Sequence, residues 1–113
     1  MSTPLQRKLF RCANSMNLPL SSEWNATSPG VLVGTGRGDL REWNPHANDK
    51  DAFELLCALG IRLFFYENVK TVLATYGGNY KITSLKRGRA RAVRAAIVEV
   101  VAMKSLDKPD SIA

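Results

Sequence analysis

The chain has 113 residues, 45% hydrophobic and 23% charged, which suits one soluble globular domain with a single modest core. Clean apolar runs such as Leu63 to Tyr66 are strand-sized, and none approaches the roughly 18–20 residues that cross a bilayer, so no membrane association is expected. Lys and Arg total 16 against 10 Asp and Glu, a formal net charge of +6 that favours nucleic acid or an acidic protein surface as partner.

The opening MSTPLQRKLFR is charged but lacks the apolar segment of a secretory signal. Cytosolic residence is therefore expected, with Cys12 and Cys57 as two reduced core thiols rather than a disulfide. Leu5, Leu9, Cys12, Ala13 and Met16 recur at helical spacing, so a first helix is predicted there. Thr3 caps it, Pro4 opens it, and Asn17 with the following Leu-Pro ends it. Residues 17–30 hold turn formers without a period and read as a loop. Val31 to Val33 is a short strand, followed by the glycine turn GTGRGD.

A second helix is predicted from about Asp49 to Leu59, capped by Asn48 or Asp49 and stopped by a left-handed Gly60. Phe53, Leu56, Cys57 and Gly60 mark its expected buried side. Ile61 to Glu67 and Val69 to Tyr76 then carry apolar residues on both faces, which predicts strands covered on both sides. Glu67-Asn68 and Gly77-Gly78-Asn79 read as hairpin turns, and Tyr80 to Ser84 alternates like an edge strand. A last helix is predicted over about Lys86 to Lys104, with Ala90, Val93, Ile97, Val100 and Val101 as its core stripe. The expected architecture is a single-domain, three-layer α/β/α sandwich of the α/β (α+β) class. It has three helices and a small, mostly antiparallel sheet of about four strands, over residues 1–106, with a flexible tail at 107–113.

Candidate chemistry is sparse. One histidine, His46, and no Cys-x-x-Cys pair give no metal site, and no cofactor is implied. Cys57 on an apolar stripe is expected to be buried and inert, so it makes no catalytic pair with His46. The acids Asp49, Asp51 and Glu54 are explained by capping and the helix dipole. Gly34 to Asp39 fits neither phosphate-loop pattern. The binding candidate is the run Lys86, Arg87, Arg89, Arg91 and Arg94, in which Arg87, Arg91 and Arg94 share one helical side. That stripe is either a solvated flank of a core helix or a patch that neutralises phosphates, with Arg37 and Arg41 as candidate extensions.

The segment GDLREWNPHANDKDAFELLCALGI, residues 38–61, resembles the phage ABA-sandwich family of small bacteriophage and prophage proteins. Trp43, Asn44, Pro45, Asp49, Asp51, Ala52, Phe53, Leu55, Leu56, Leu59 and Gly60 match the pattern, and RARAVRAAIVEVVA is similar to the family's closing helix. The basic balance and Lys50 depart from it. The resemblance implies an α/β/α sandwich and assigns no catalytic residues. In the motif, Trp43 is expected to staple the helix start, Asn44 and Pro45 to shape the turn, and Asp49 and Asp51 to cap.

A non-enzymatic accessory protein in the bacterial host cytoplasm follows as the expectation. It would bind a host protein or protein–nucleic-acid complex, for instance as an anti-defence (anti-CRISPR) inhibitor. Direct nucleic-acid binding through the basic helix is the alternative, and Tyr80 to Ser84 offers an edge for a homodimer.

Overall fold

The computed structural model describes residues 3–18, 30–34 and 40–107. Helix α1, Pro4–Ser15, starts as its sequence predicts. Thr3 Oγ1 accepts the Gln6 N–H at 3.0 Å while Gln6 Oε1 accepts the Thr3 N–H at 3.0 Å, so two orphan donors are satisfied reciprocally. Asn17, at φ 58, turns the chain out of the helix. Leu9, Cys12 and Ala13 are buried. Gln6 joins them because its amide also donates to the Gly30 carbonyl at 3.4 Å.

Strand β1, Val31–Gly34, pairs antiparallel with β2, Leu40–Trp43, from Val31↔Trp43 to Gly34↔Leu40. The sequence does not predict β2, because Leu40, Arg41 and Glu42 are all exposed and leave no alternation to detect. Arg37 and the rest of 35–39 lie outside the described residues. Gly30 cannot be larger: an added Cβ would lie 2.7 Å from Glu42 Cγ and 2.8 Å from the Trp43 carbonyl oxygen.

Helix α2, Asp49–Leu59, is capped by Asn48, whose Oδ1 accepts the Asp51 N–H at 3.0 Å, and stops at Gly60 with φ 69. Its buried residues are Asp51, Ala52 and Leu55; of the predicted Phe53, Leu56, Cys57 and Gly60, only Leu56 packs partly against the core. The true face lies one residue, or about 100°, away from the expected one. The cause is Asp51, drawn inward by the Asn44 N–H at 2.9 Å. Phe53 is consequently 66% exposed, and Cys57, expected in the core, is also exposed.

Strands β3, Arg62–Tyr66, β4, Thr71–Tyr76, and β5, Asn79–Ser84, form an antiparallel meander in the order β3-β4-β5. Gly77 and Gly78, at φ 58 and 84, make the two-residue turn between β4 and β5. β5 is at an edge as predicted, and so is β3.

Helix α3, Arg89–Asp107, begins after Gly88 at φ 126, three residues later than predicted. Ala96, Ile97, Val98, Val100, Val101 and Ala102 are all buried, so the helix is enclosed around most of its circumference rather than along one stripe, with Ala95, Glu99 and Met103 marking its half-buried side. It packs on β4 and β5 with one side, on α1 with the other, and on α2 at its flank.

The protein is thus a mixed α/β sandwich of three helices and antiparallel strands, as its sequence predicts. Among the described residues the strands number five, in sheets of two and three. The layering differs in detail: α3 lies in the middle, with the meander on one side and α1 with the β1–β2 hairpin on the other. The element covered on both sides is therefore a helix. The outer face of the meander, with Phe64, Tyr66, Tyr80 and Ile82, stays exposed. Helices were expected on both faces of the sheet, but α3 covers one face and α1 and α2 pack against α3.

Trp43 is fully buried at the end of β2. Replacing it by alanine is expected to cost about 3–5 kcal/mol and lower Tm by at least about 10 °C. Phe53→Ala, removing a side chain that stands mostly in solvent, is expected to shift Tm by less than about 3 °C. Thermal melts of both variants check the pair.

Candidate functional site

The Trp-Asn-Pro segment spends its polar groups on structure. Asn44 Oδ1 accepts the N–H groups of His46 at 3.1 Å and Ala47 at 3.2 Å, closing a side-chain turn that the buried Pro45 stiffens. Asp51, itself buried, holds the Asn44 N–H through Oδ2 and meets Arg41 at 3.3 Å through Oδ1. Trp43 lies in the core with its indole N–H unpaired, so it is a packing residue beneath the motif rather than a staple on its surface. The His46 ring titrates below its ordinary value, chiefly because it is partly buried, with the nearby Arg94, Arg91 and Lys8 charges adding and Glu99 opposing. Among the described residues no group of three or more His, Cys, Asp or Glu is arranged to hold a metal ion.

The structure divides the basic run instead of assembling it. Arg89 forms a two-pronged pair with Glu67, at 2.9 and 2.6 Å, and stacks over the Phe65 ring with its guanidinium 5.4 Å from the centroid. That hydrogen bond holds the Glu67 carboxyl below its ordinary range. Arg94 donates to Asp49 at 2.6 Å and to the His46 carbonyl at 3.0 Å. Arg41 reaches Asp51 and, at 4.0 Å, Glu54. Lys86 and Arg87 precede the helix and Arg91 lies in its first turn; these three are exposed and have no salt bridge to a described carboxylate. The predicted alignment of Arg87, Arg91 and Arg94 on one helical side fails because Gly88 breaks the helix between Arg87 and the other two.

Pairing two arginines inward leaves an apolar surface beside them. α2, β3 and the start of α3 diverge around an open groove of about 630 Å³, walled by Phe53, Leu56, Leu63, Phe65, Ala90 and Val93. Asp49 and Arg94, paired with each other, and Arg89, paired with Glu67, stand at its rim. The groove therefore offers carbon in the middle and neutralised charge at the edge. Sequence reasoning places Phe53 in the core and overlooks this surface; the signal is an aromatic four residues before an exposed cysteine, on the helix side opposite Asp51. The arrangement suits insertion of apolar side chains and supplies no nucleophile with a base.

Comparison of the chain with protein-family models, with curated proteins and with solved structures finds no match in any of the three.

The two thiols separate cleanly. Cys12 is fully buried, donates to the Val98 carbonyl at 3.6 Å, and is pushed up to about 12 by burial first and by Glu99 second, with Arg11 opposing. Cys57 is exposed. A maleimide added to the native protein at neutral pH is expected to label Cys57 and leave Cys12 intact, as read by peptide mass spectrometry. Both should label in denaturant.

Proposed function

We propose that this chain is a small non-enzymatic binding protein that engages and modulates a host protein through the groove between α2, β3 and α3. The carrying observation is the groove itself, an apolar surface walled by aromatic and aliphatic side chains on a chain whose conspicuous polar motif is consumed by its own turns and caps. Exposed apolar area of this kind is costly in water and is retained where a partner covers it. Aromatic anchors such as Phe53 and Phe65 are the residue type that dominates binding energy at interfaces. The phage or prophage setting, the bacterial cytoplasm and an anti-defence role are carried by the resemblance of Trp43 to Gly60, and the excess of basic residues is consistent with a target that works on nucleic acid. No helix among the described residues is long and apolar enough to cross a membrane.

The test uses the full chain as bait in bacterial lysate, beside Phe53→Glu and the double variant Arg87→Glu, Arg91→Glu. The expected outcome is a captured protein lost at least about 10-fold with Phe53→Glu and retained by the arginine variant, since a charge forced into an apolar anchor site leaves an unpaired buried ion. Identical captures by all three baits would remove the groove as the site of function.

A further inference from the structure

The outer face of the meander is a second surface, independent of the groove on its opposite side. The register places Phe64, Leu73 and Ile82 in one row across the three strands. Arg62, Thr75 and Tyr80 form the row on one side of it, and Tyr66, Thr71 and Ser84 the row on the other. Val72 and Ala74 point the other way and are buried against α3. Phe64 is 43% exposed, Tyr66 46% and Tyr80 61%, so three rings stand in solvent on a rigid sheet. Phe64 and Tyr66, two residues apart on β3, are separated by about 6.6 Å, enough for each ring to take its own base. Tyr80 lies across the sheet, two strand spacings or about 9.6 Å from β3.

The charge of the same region is one-sided. Residues 61–88 contain Arg62, Lys70, Lys81, Lys86 and Arg87 against a single acid, Glu67, and Arg89 already occupies that acid. Around the β5 edge from this face, on the side of the sheet that meets α3, a recess of about 120 Å³ opens between β5 and the start of α3, bordered by Thr83, Ser84, Arg87, Gly88 and Arg91. The first turn of α3 has no acidic residue, although a helix start favours negative charge. Cations gathered at that end are mutually unfavourable until an anion sits among them. Thr83 Oγ1, on the border of the recess, is buried and has no hydrogen-bond partner.

We propose that this face binds single-stranded nucleic acid, its bases stacked on Phe64, Tyr66 and Tyr80 and its phosphates held by Arg62 and by Arg87 and Arg91 at the recess. Rings that lie open on a sheet stack on bases freed from a duplex, and the cationic surround tracks the backbone that joins them. A second copy of this chain is the poorer occupant, because it carries the same net charge of +6 and brings no excess of anions to the face.

Fluorescence anisotropy with labelled DNA and RNA single strands of about 12 nucleotides, and with a duplex of the same sequence, tests the assignment. Single strands are expected to bind at least about 10-fold more tightly than the duplex. Phe64→Ala, Tyr66→Ala and Tyr80→Ala are each expected to weaken binding about 5-fold or more while still melting cooperatively as folded proteins, because the rings are about half exposed or more. Arg87→Ala and Arg91→Ala are each expected to lower the slope of log affinity against log salt by about 0.7. Phe53→Glu should bind as wild type, which keeps this outcome separate from the fate of the groove. The inference is overturned if no single strand binds at low salt, or if duplex binds as tightly as single strand. It is equally overturned if the aromatic variants bind like wild type, or if light scattering shows a dimer that Phe64→Ala dissociates.

Discussion

Burial of α3 around most of its circumference is the constraint from which the other elements take their places. Its buried residues between Ala92 and Ala102 are all alanine, valine or isoleucine, small or β-branched side chains that suit close packing. α1 comes near enough for the Cys12 thiol to reach the Val98 carbonyl, and Lys8 closes the same interface with a 2.6 Å pair to Glu99. The meander covers the opposite side with Val72 and Ala74. A helix that must be enclosed recruits every other layer around itself, and the outer sheet face goes uncovered as a consequence.

The same arrangement accounts for where polar chemistry ends up. The Trp-Asn-Pro turn has to bring α2 back against α3, and it does so with Asn44, Asn48 and Asp51 bound to backbone N–H groups. Arg94 then ties the turn to α3 through Asp49 and the His46 carbonyl, while Arg89 ties the β3–β4 turn to the same helix through Glu67. Arginines that look like a ligand patch in one dimension thereby become staples between elements. Their heads are neutralised, and the surfaces left without internal partners are the apolar groove, the aromatic sheet face and the cations that precede α3.

A groove and an open sheet face on opposite sides of β3 fit a protein that works by covering something. Both surfaces share that strand, since Phe65 lines the groove while Phe64 and Tyr66 stand on the outer face. A chain of this size has little core to spare, and carrying two surfaces on alternate residues of one strand follows from its two-residue period.

What the sequence determined by itself was everything governed by local geometry. Thr3 and Pro4 start α1, Asn48 starts α2, Gly60 stops it, and Gly77-Gly78 closes the β4–β5 hairpin, because caps and positive φ depend on residues a few positions apart. Periodicity likewise marked the three strands of the meander and the class of the fold. Only the tertiary structure decided which apolar faces were covered. A pattern states that Phe53, Phe64 and Phe65 are apolar, but it does not state what packs on them, and Asp51's hydrogen bond to Asn44 turned α2 so that Phe53 faced outward. The fate of the arginines was equally hidden, because Arg94 meets Asp49 across 45 residues and Arg89 meets Glu67 across 22. Such pairs exist only once the chain has folded, and they separate the charges that hold the protein together from those still free to meet a ligand.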